Sequence, residues 1–358
     1  MDYSKEPQTD RELSVTFIFG NGFDLNLKLR TSFEDMYDEY TSFPSDFDAV
    51  NQFKEDLMSD KDKRYSSWSD FEMGMAEYAK KLYSENELIQ CLRNFKDHMI
   101  EHLKYENERF KQLIYNAPNE TQEMIAKVVN DSFDNYYTKL VKKTDIRKIG
   151  ALYNNICLKE NYITFNYTDT LETILRYRRN ATKLEKPIHI HGDLDSHVIL
   201  GIDNMDQISG IRYKLSNKGK RCFLKPFLNN ALDDLLIEEV ENIISNSSII
   251  CIYGFSMGPS DKMWNELIVK WLHDSPNHHL IVFQHDKYVF QNQHIDLMIE
   301  FEDQEKQKMM NKLGVKNESV FDQIHIPIGK SIFNFDFWNG YFDFHMTNEE
   351  IERMLSKI

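Results

Sequence analysis

Apolar residues recur along the chain in two rhythms, and the change between them divides it. After a polar start, "SVTFIF" at positions 14–19 has the apolar, β-branched and aromatic character of a buried strand. From Thr31 to Gly150 the apolar positions then fall three or four apart. One set is Phe71, Met75, Tyr78, Ala79 and Leu82, and a second is Leu88, Cys91, Leu92, Phe95 and Met99. A third runs from Met124 through Ile125, Val128, Val129, Tyr136 and Leu140 to Val141, interrupted near Ser132. Each set occupies one helix face, and only Gly74, Gly150, Pro44 and Pro118 interrupt this block. It is predicted to be mostly helix, with these side chains as core.

From Asn161 the pattern shortens. "NYITFNYT", "PIHIHGDL", "VILGI", "SIICIYGFS" and "LIVFQHD" read as short strands that end in polar or glycine-bearing turns. Helical stretches such as "DTLETILRYRR" and "DLLIEEVENIIS" lie between some of them. The alternation predicts an α/β fold, a Rossmann-like, mostly parallel sheet with a large helical insertion. Residues 14–30 supply the first strand and its glycine turn, 31–150 the insertion, 151–290 the rest of the α/β core, and 291–358 a C-terminal extension. The aromatic stretch "IFNFDFWNGYFDFH" in that extension is a packing arm or a partner surface.

Composition narrows the classes. A chain of 358 residues with 41% hydrophobic and 28% charged residues is that of a folded globular protein. Its formal charge of −15 opposes non-specific attraction to nucleic acid or anionic lipid, so neither is an expected partner. No apolar run is long enough to span a bilayer and the N-terminus lacks a signal core, which predicts a cytoplasmic protein. Cys91, Cys157, Cys222 and Cys251 are far apart without a CxxC pair and are expected to be reduced core thiols.

In an open parallel sheet, ligands bind beyond the carboxyl ends of the strands, so the polar tips carry the candidate chemistry. In "FGNGFD", Gly20, Asn21 and Gly22 form a turn that can approach a phosphate closely. Asp24 there either caps the following helix or meets a ribose hydroxyl or a developing positive charge. In "TFNYTDTLE", Asn166 and Thr168 sit at a strand tip, and Asp169 or Thr170 can cap the next helix. Asn166 either bonds its own turn or offers a donor and an acceptor to a sugar or a water.

Alternation in "IHIHGDL" puts His189 and His191 on one strand face, and one of them should face the cleft as a general base. No further ligand set accompanies the pair, so no metal is expected. In "YGFSMGPSD", Gly254, Ser256 and Asp261 supply backbone donors, small side chains and a helix cap. The same letters match GxSxG, which admits a serine esterase, but no triad order accompanies them. In "WSDFE", Trp68, Asp70 and Glu72 form either an acidic helix start with a packed tryptophan or a wall that brings Glu72 over a ligand.

Taken in order, "FGNGFD", "WSDFE", "TFNYTDTLE", "HIHGDL" with "ILGID", and "YGFSMGPSD" resemble the motifs of the bacteriophage abortive-infection AbiH family over about residues 15–265. More distantly the order is similar to the sirtuin-like NAD-binding fold. That resemblance implies Gly20 and Gly22 against a pyrophosphate, Asn166 orienting water and the nicotinamide ribose, His191 as base, and Gly254 and Ser256 on the adenosine side. Asp24 stands where such turns usually carry serine, Thr168 where an acid is usual, and the zinc-binding cysteine module is absent, so deacetylation is not implied. The expected function is a phage-defence effector that binds NAD or a related nucleotide, with hydrolysis of its N-glycosidic bond as the reaction. The alternative is a non-enzymatic nucleotide-binding sensor that recognises a phage or host protein, with the helical block as a regulatory or homo-oligomer surface. A nuclease lacks both a basic chain and an evident carboxylate metal cluster.

Overall fold

Strand β1 (Arg11–Phe19) is buried on both faces, and this places it in the middle of a sheet. Val15, Phe17 and Phe19 enter one core and Ile18 the other. Ser14 and Thr16, on the Ile18 side, receive hydrogen bonds from Asn161, and Thr16 also bonds Ser247 at 2.6 Å. The computed structural model describes residues 11–338 except 155, 180–183, 233 and 285–293.

The other strands are β2 (Ile156–Thr164), β3 (Ile188–His189), β4 (Ile249–Tyr253), β5 (His279–Phe283) and β6 (Ile324–His325). All pair in parallel, in the order β3-β2-β1-β4-β5-β6. This is the doubly wound, Rossmann-like arrangement expected of an α/β chain. The chain steps outward from β1 to β3, then crosses back to β4 on the other side of β1.

Helices cover both faces. Helix Asn119–Asp134 brings Ile125, Val129 and Phe133 onto one. Helices Asp234–Ser245, Lys262–Asp274 and Ile295–Leu313 bring Val240, Ile268, Trp271 and Met309 onto the other. A third core lies among helices Phe33–Thr41, Asp48–Ser59 and Phe71–Tyr78 and the segment 198–224. Helix Glu85–Tyr115, about 46 Å long at 1.5 Å per residue, joins two cores. Leu88, Phe95 and Leu103 pack in the third core, and Phe110 and Ile114 in the first. The helical insertion thus divides: its first part builds its own core, and its last part is a layer of the sheet.

Several local expectations change. "VILGI" forms no strand, because Val198 and Ile202 make only isolated bridges with Gly192 and Leu224. Strand β3 has two residues, so His191 lies in the turn beyond it rather than beside His189 on one strand face. The stretch assigned to the C-terminal extension supplies β6, and its aromatic start is a packing arm. Phe333 is fully buried against Phe19, Phe23, Phe133 and Tyr253. Residues 339–358 lie outside those described. Cys91 and Cys251 are core thiols, whereas Cys157 is exposed and Cys222 half-buried. Among the described residues no helix is long and apolar enough to cross a membrane.

Candidate functional site

The loops leaving β1 and β4 diverge at the switch point of the sheet, where a crevice opens above the strand ends. Glycine lets these two loops touch. A Cβ on Gly20 would stand 2.5 Å from the Cα of Phe255, and one on Gly22 2.6 Å from the Cα of Gly254. Gly254 itself has φ +67°, the left-handed region. Gly20 N–H donates to Tyr253 O, Gly22 N–H to Gly254 O and Phe23 N–H to Gly20 O. The close approach for which the turn needs glycine is therefore to the neighbouring loop, and three of its amides already bond protein carbonyls. Asn21 and Thr31 exchange hydrogen bonds of 2.9 and 2.6 Å, tying the turn to the start of the insertion.

Asp24 lies in the five-residue helix Gly22–Asn26 and is not its cap, which corrects the capping assignment. Its carboxylate accepts hydrogen bonds from Asn166 Nδ2 at 2.9 Å and from the hydroxyls of Thr168 and Thr170 at 2.5 Å each. Burial pushes its carboxyl up to about 6, against the pull of these three donors. Asn166 spends its amide on this contact, so its Oδ1 has no partner among the described residues. His189 holds the tip from behind, one ring nitrogen on Asn166 O and the other on Glu172, both at 2.8 Å. Burial lowers the His189 pKa, but the Glu172 contact outweighs it and the net direction is upward.

A second cluster is charged. Lys225 Nζ donates to Glu72 Oε2 at 2.8 Å and to Asp261 Oδ1 and Ser260 O at 2.9 Å. His191 Nε2 lies 2.9 Å from the same Asp261 oxygen. A carboxylate only accepts, so the imidazole proton sits on Nε2 and Nδ1 keeps its lone pair. Nδ1 has no partner among the described residues. Burial and then Lys225 lower the His191 pKa despite Asp261, which keeps the ring neutral. Burial raises Asp261, but Lys225 and His191 outweigh it and hold the carboxyl well below the usual range. Burial also raises Glu72, to about 7, because it shares its cation with Asp261. Gly201 N–H donates to its other oxygen at 2.8 Å.

Gly20, Asn21, Gly22, Asp24, Asn166, Thr168, His191, Gly254, Ser256 and Asp261 all line one cavity of about 400 Å³. The facing wall comes from the insertion, with Phe33, Met36, Met99 and Leu103 as its apolar part and Asp70 and Glu72 as its acids. Such a volume and mixture suit a small ligand. Among the described residues no lysine or arginine lines the cavity, although Lys225 pairs with two of its acids, Glu72 and Asp261, from behind.

The two readings of "WSDFE" combine. Trp68 is buried and Asp70 caps helix Phe71–Tyr78 through Met73 N–H at 3.1 Å, while Glu72 forms part of the cavity. One of the two histidines, His191, faces the cleft; His189 serves the Asn166 backbone. Ser256 is exposed and no histidine bonds its hydroxyl among the described residues, while the left-handed φ of +50° falls on Met257. Among the described residues the esterase reading therefore lacks its base. Lys225, the cation that joins the charged cluster, carried no motif: "FLKPF" reads as an ordinary helix start, and nothing in it points to Glu72 or Asp261.

A family model described as bacteriophage abortive infection AbiH matches residues 16–284, about three quarters of the chain, whereas no curated protein and no solved structure matches it. The chain belongs to that family, and membership implies a part in phage abortive infection.

Proposed function

We propose that this AbiH-family chain is an abortive-infection effector whose cavity takes the nicotinamide riboside half of NAD or a related nucleotide and hydrolyses its N-glycosidic bond. The observation that carries the reading is the neutral His191. Asp261 holds its Nε2, and His191 and Asn166, whose buried Nδ1 and Oδ1 have no partner among the described residues, line the same cavity.

In this reading Asn166 Oδ1 orients a water and His191 Nδ1 takes its proton. The water oxygen bonds C1 of the ribose while the bond to nicotinamide breaks. The ring nitrogen keeps that electron pair, so nicotinamide leaves neutral. Asp70 and Asp24 give the cavity the negative potential that favours a cationic nicotinamide and an oxocarbenium-like ribose. With three amides of the glycine turn already bonded and no cation lining the walls among the described residues, the pyrophosphate belongs at the mouth, toward solvent.

The test is NAD through an infection that the protein restricts, compared with His191→Ala at matched expression, together with turnover of NAD by the purified chain. Turnover by the variant is expected to be lower by about 10²–10⁴-fold, with nucleotide affinity retained. Constant NAD in protected cells overturns the reading. A sensor without turnover draws on one observation, that the buried charges of Glu72, Lys225 and Asp261, with the neutral His191 beside them, join the insertion to the sheet. Protection kept by both Asn166→Ala and His191→Ala selects it.

A further inference from the structure

Away from the cavity, toward the amino end of the sheet, a second group of side chains is left incompletely bonded. Asp145 comes from helix Lys143–Leu152, Glu302 from helix Ile295–Leu313 and His325 from β6. Each offers a ligand atom, and these atoms all lie within 4.8 Å of one another. Glu302 and His325 are each 1% exposed. Glu302 Oε1 has one long contact from Ile326 N–H at 3.4 Å, and Oε2 has no hydrogen-bond partner among the described residues. His325 Nδ1 approaches Asp145 Oδ2 to 3.4 Å without completing a hydrogen bond. Buried carboxylates are normally fully bonded, so two orphan atoms facing the same space need a reason.

The neighbouring lysines form ion pairs with Glu302 but give Oε2 no hydrogen bond, and the buried Lys306 depends on the same carboxylate. Lys306 stops 3.5 Å from Glu302 Oε1, and Lys142 stands 3.8 Å from Oε2 while bonding Asp303 at 3.0 Å. On the far side of the ring, His325 Nε2 lies 3.1 Å from His279 Nδ1. A proton on Nε2 donated there leaves the Nδ1 lone pair aimed at the two carboxylates, the orientation that an outer partner gives a metal-bound histidine.

We propose that Asp145, Glu302 and His325 form a divalent-cation site, with His279 fixing the imidazole. Ligand bonds of about 2.0–2.2 Å at tetrahedral angles hold ligand atoms about 3.3–3.6 Å apart, so a contraction of up to about 1.5 Å closes the set. One nitrogen and two carboxylates, with no thiolate, suit Zn²⁺ or Mn²⁺. Asp145 is partly exposed, which gives the ion a route in and lets water complete its shell. Bound there, the ion ties two helices to β6 and strengthens the far edge of the sheet. The site is independent of the reaction proposed above.

The experiment uses the full chain, stripped with a chelator and then titrated with Zn²⁺ or Mn²⁺. Bound metal is counted by mass spectrometry and the thermal midpoint is followed. About one equivalent of ion and a midpoint raised by several degrees are expected in the wild type, with both lost in Glu302→Gln and Asp145→Asn. In the stripped state Glu302→Gln should be at least as stable as wild type, because it removes a buried carboxylate whose nearest ammonium groups stand off at 3.5 and 3.8 Å. Reduced stability there would assign Glu302 to its lysines and overturn the site. So would absence of a stoichiometric ion, or a midpoint shift that survives in both variants. If Glu302→Gln fails to fold, Asp145→Asn, at a partly exposed position, decides.

Discussion

Asp24 and Asp261 line the same cavity, the first fully buried and the second partly exposed, and their surroundings give them opposite electrostatics. Asp24 is held by an amide and two hydroxyls, all neutral. Hydrogen bonds without charge recover only part of what burial costs a carboxylate, and its carboxyl rises to about 6. Asp261 is held by Lys225 and His191, and the nearby cation keeps it ionised despite burial. Geometry alone does not separate them, since both are compactly hydrogen-bonded. One cluster is a hinge of neutral bonds between the helix after β1 and the tip of β2. The other is a charged clamp between the insertion, the 198–225 segment and the loop after β4.

The contrast is most strongly broken by Lys225→Met. It leaves Glu72 and Asp261 buried without their shared cation, and a loss of about 3–5 kcal/mol in urea unfolding is expected. Unchanged stability would mean that the clamp carries no net charge.

The pH dependence of unfolding sharpens the difference. Between 3.8 and about 6 the folded chain keeps a proton on Asp24 that the unfolded chain has released. The stability associated with that proton is present below 3.8 and lost as pH rises through 6. Relative to Asp24→Asn, wild type should lose roughly 2–3 kcal/mol between pH 4 and pH 7. Asp261 has the opposite sign: its contribution is present above the ordinary carboxylate range and disappears as pH falls. Urea titrations of Asp24→Asn and Asp261→Asn should therefore diverge from wild type in opposite directions. Parallel curves would show that the two carboxylates are alike after all.

The smallest effect belongs to Thr170→Val, which removes one neutral donor from Asp24 and keeps the side-chain volume. About 1 kcal/mol of stability should go, with a further rise in the Asp24 pKa readable by NMR titration. A cost as large as that of Lys225→Met would give the neutral hinge the weight here assigned to the clamp.

Much of this was legible in the residues themselves. Burial on both faces makes "IICIY" apolar throughout and "SVTFIF" apolar but for the hydrogen-bonded Ser14 and Thr16, so the strands and the α/β class could be read directly. Strand tips need glycine and short polar side chains, and ten candidate residues from four separate motifs line one cavity. Periodicity found the helices of the insertion because an amphipathic face is a local property. It failed at "VILGI" and after His189, where apolar alternation is present but no neighbouring strand offers a ladder.

The sequence by itself determined what each segment can be: strand, helix or glycine turn, with an acid or a histidine at its end. Only the tertiary structure decided what those groups meet. Crossing back over β1 brings Gly254 against Gly22, so that the glycine turn packs closely on the neighbouring loop. Folding the insertion over the strand ends brings Glu72 to Lys225 across 153 positions, where no local pattern can register the pair. Hydrophobic rhythm is set by neighbours a few residues away, whereas ion pairing and pKa depend on distance and burial in space, and those exist only once the chain has closed.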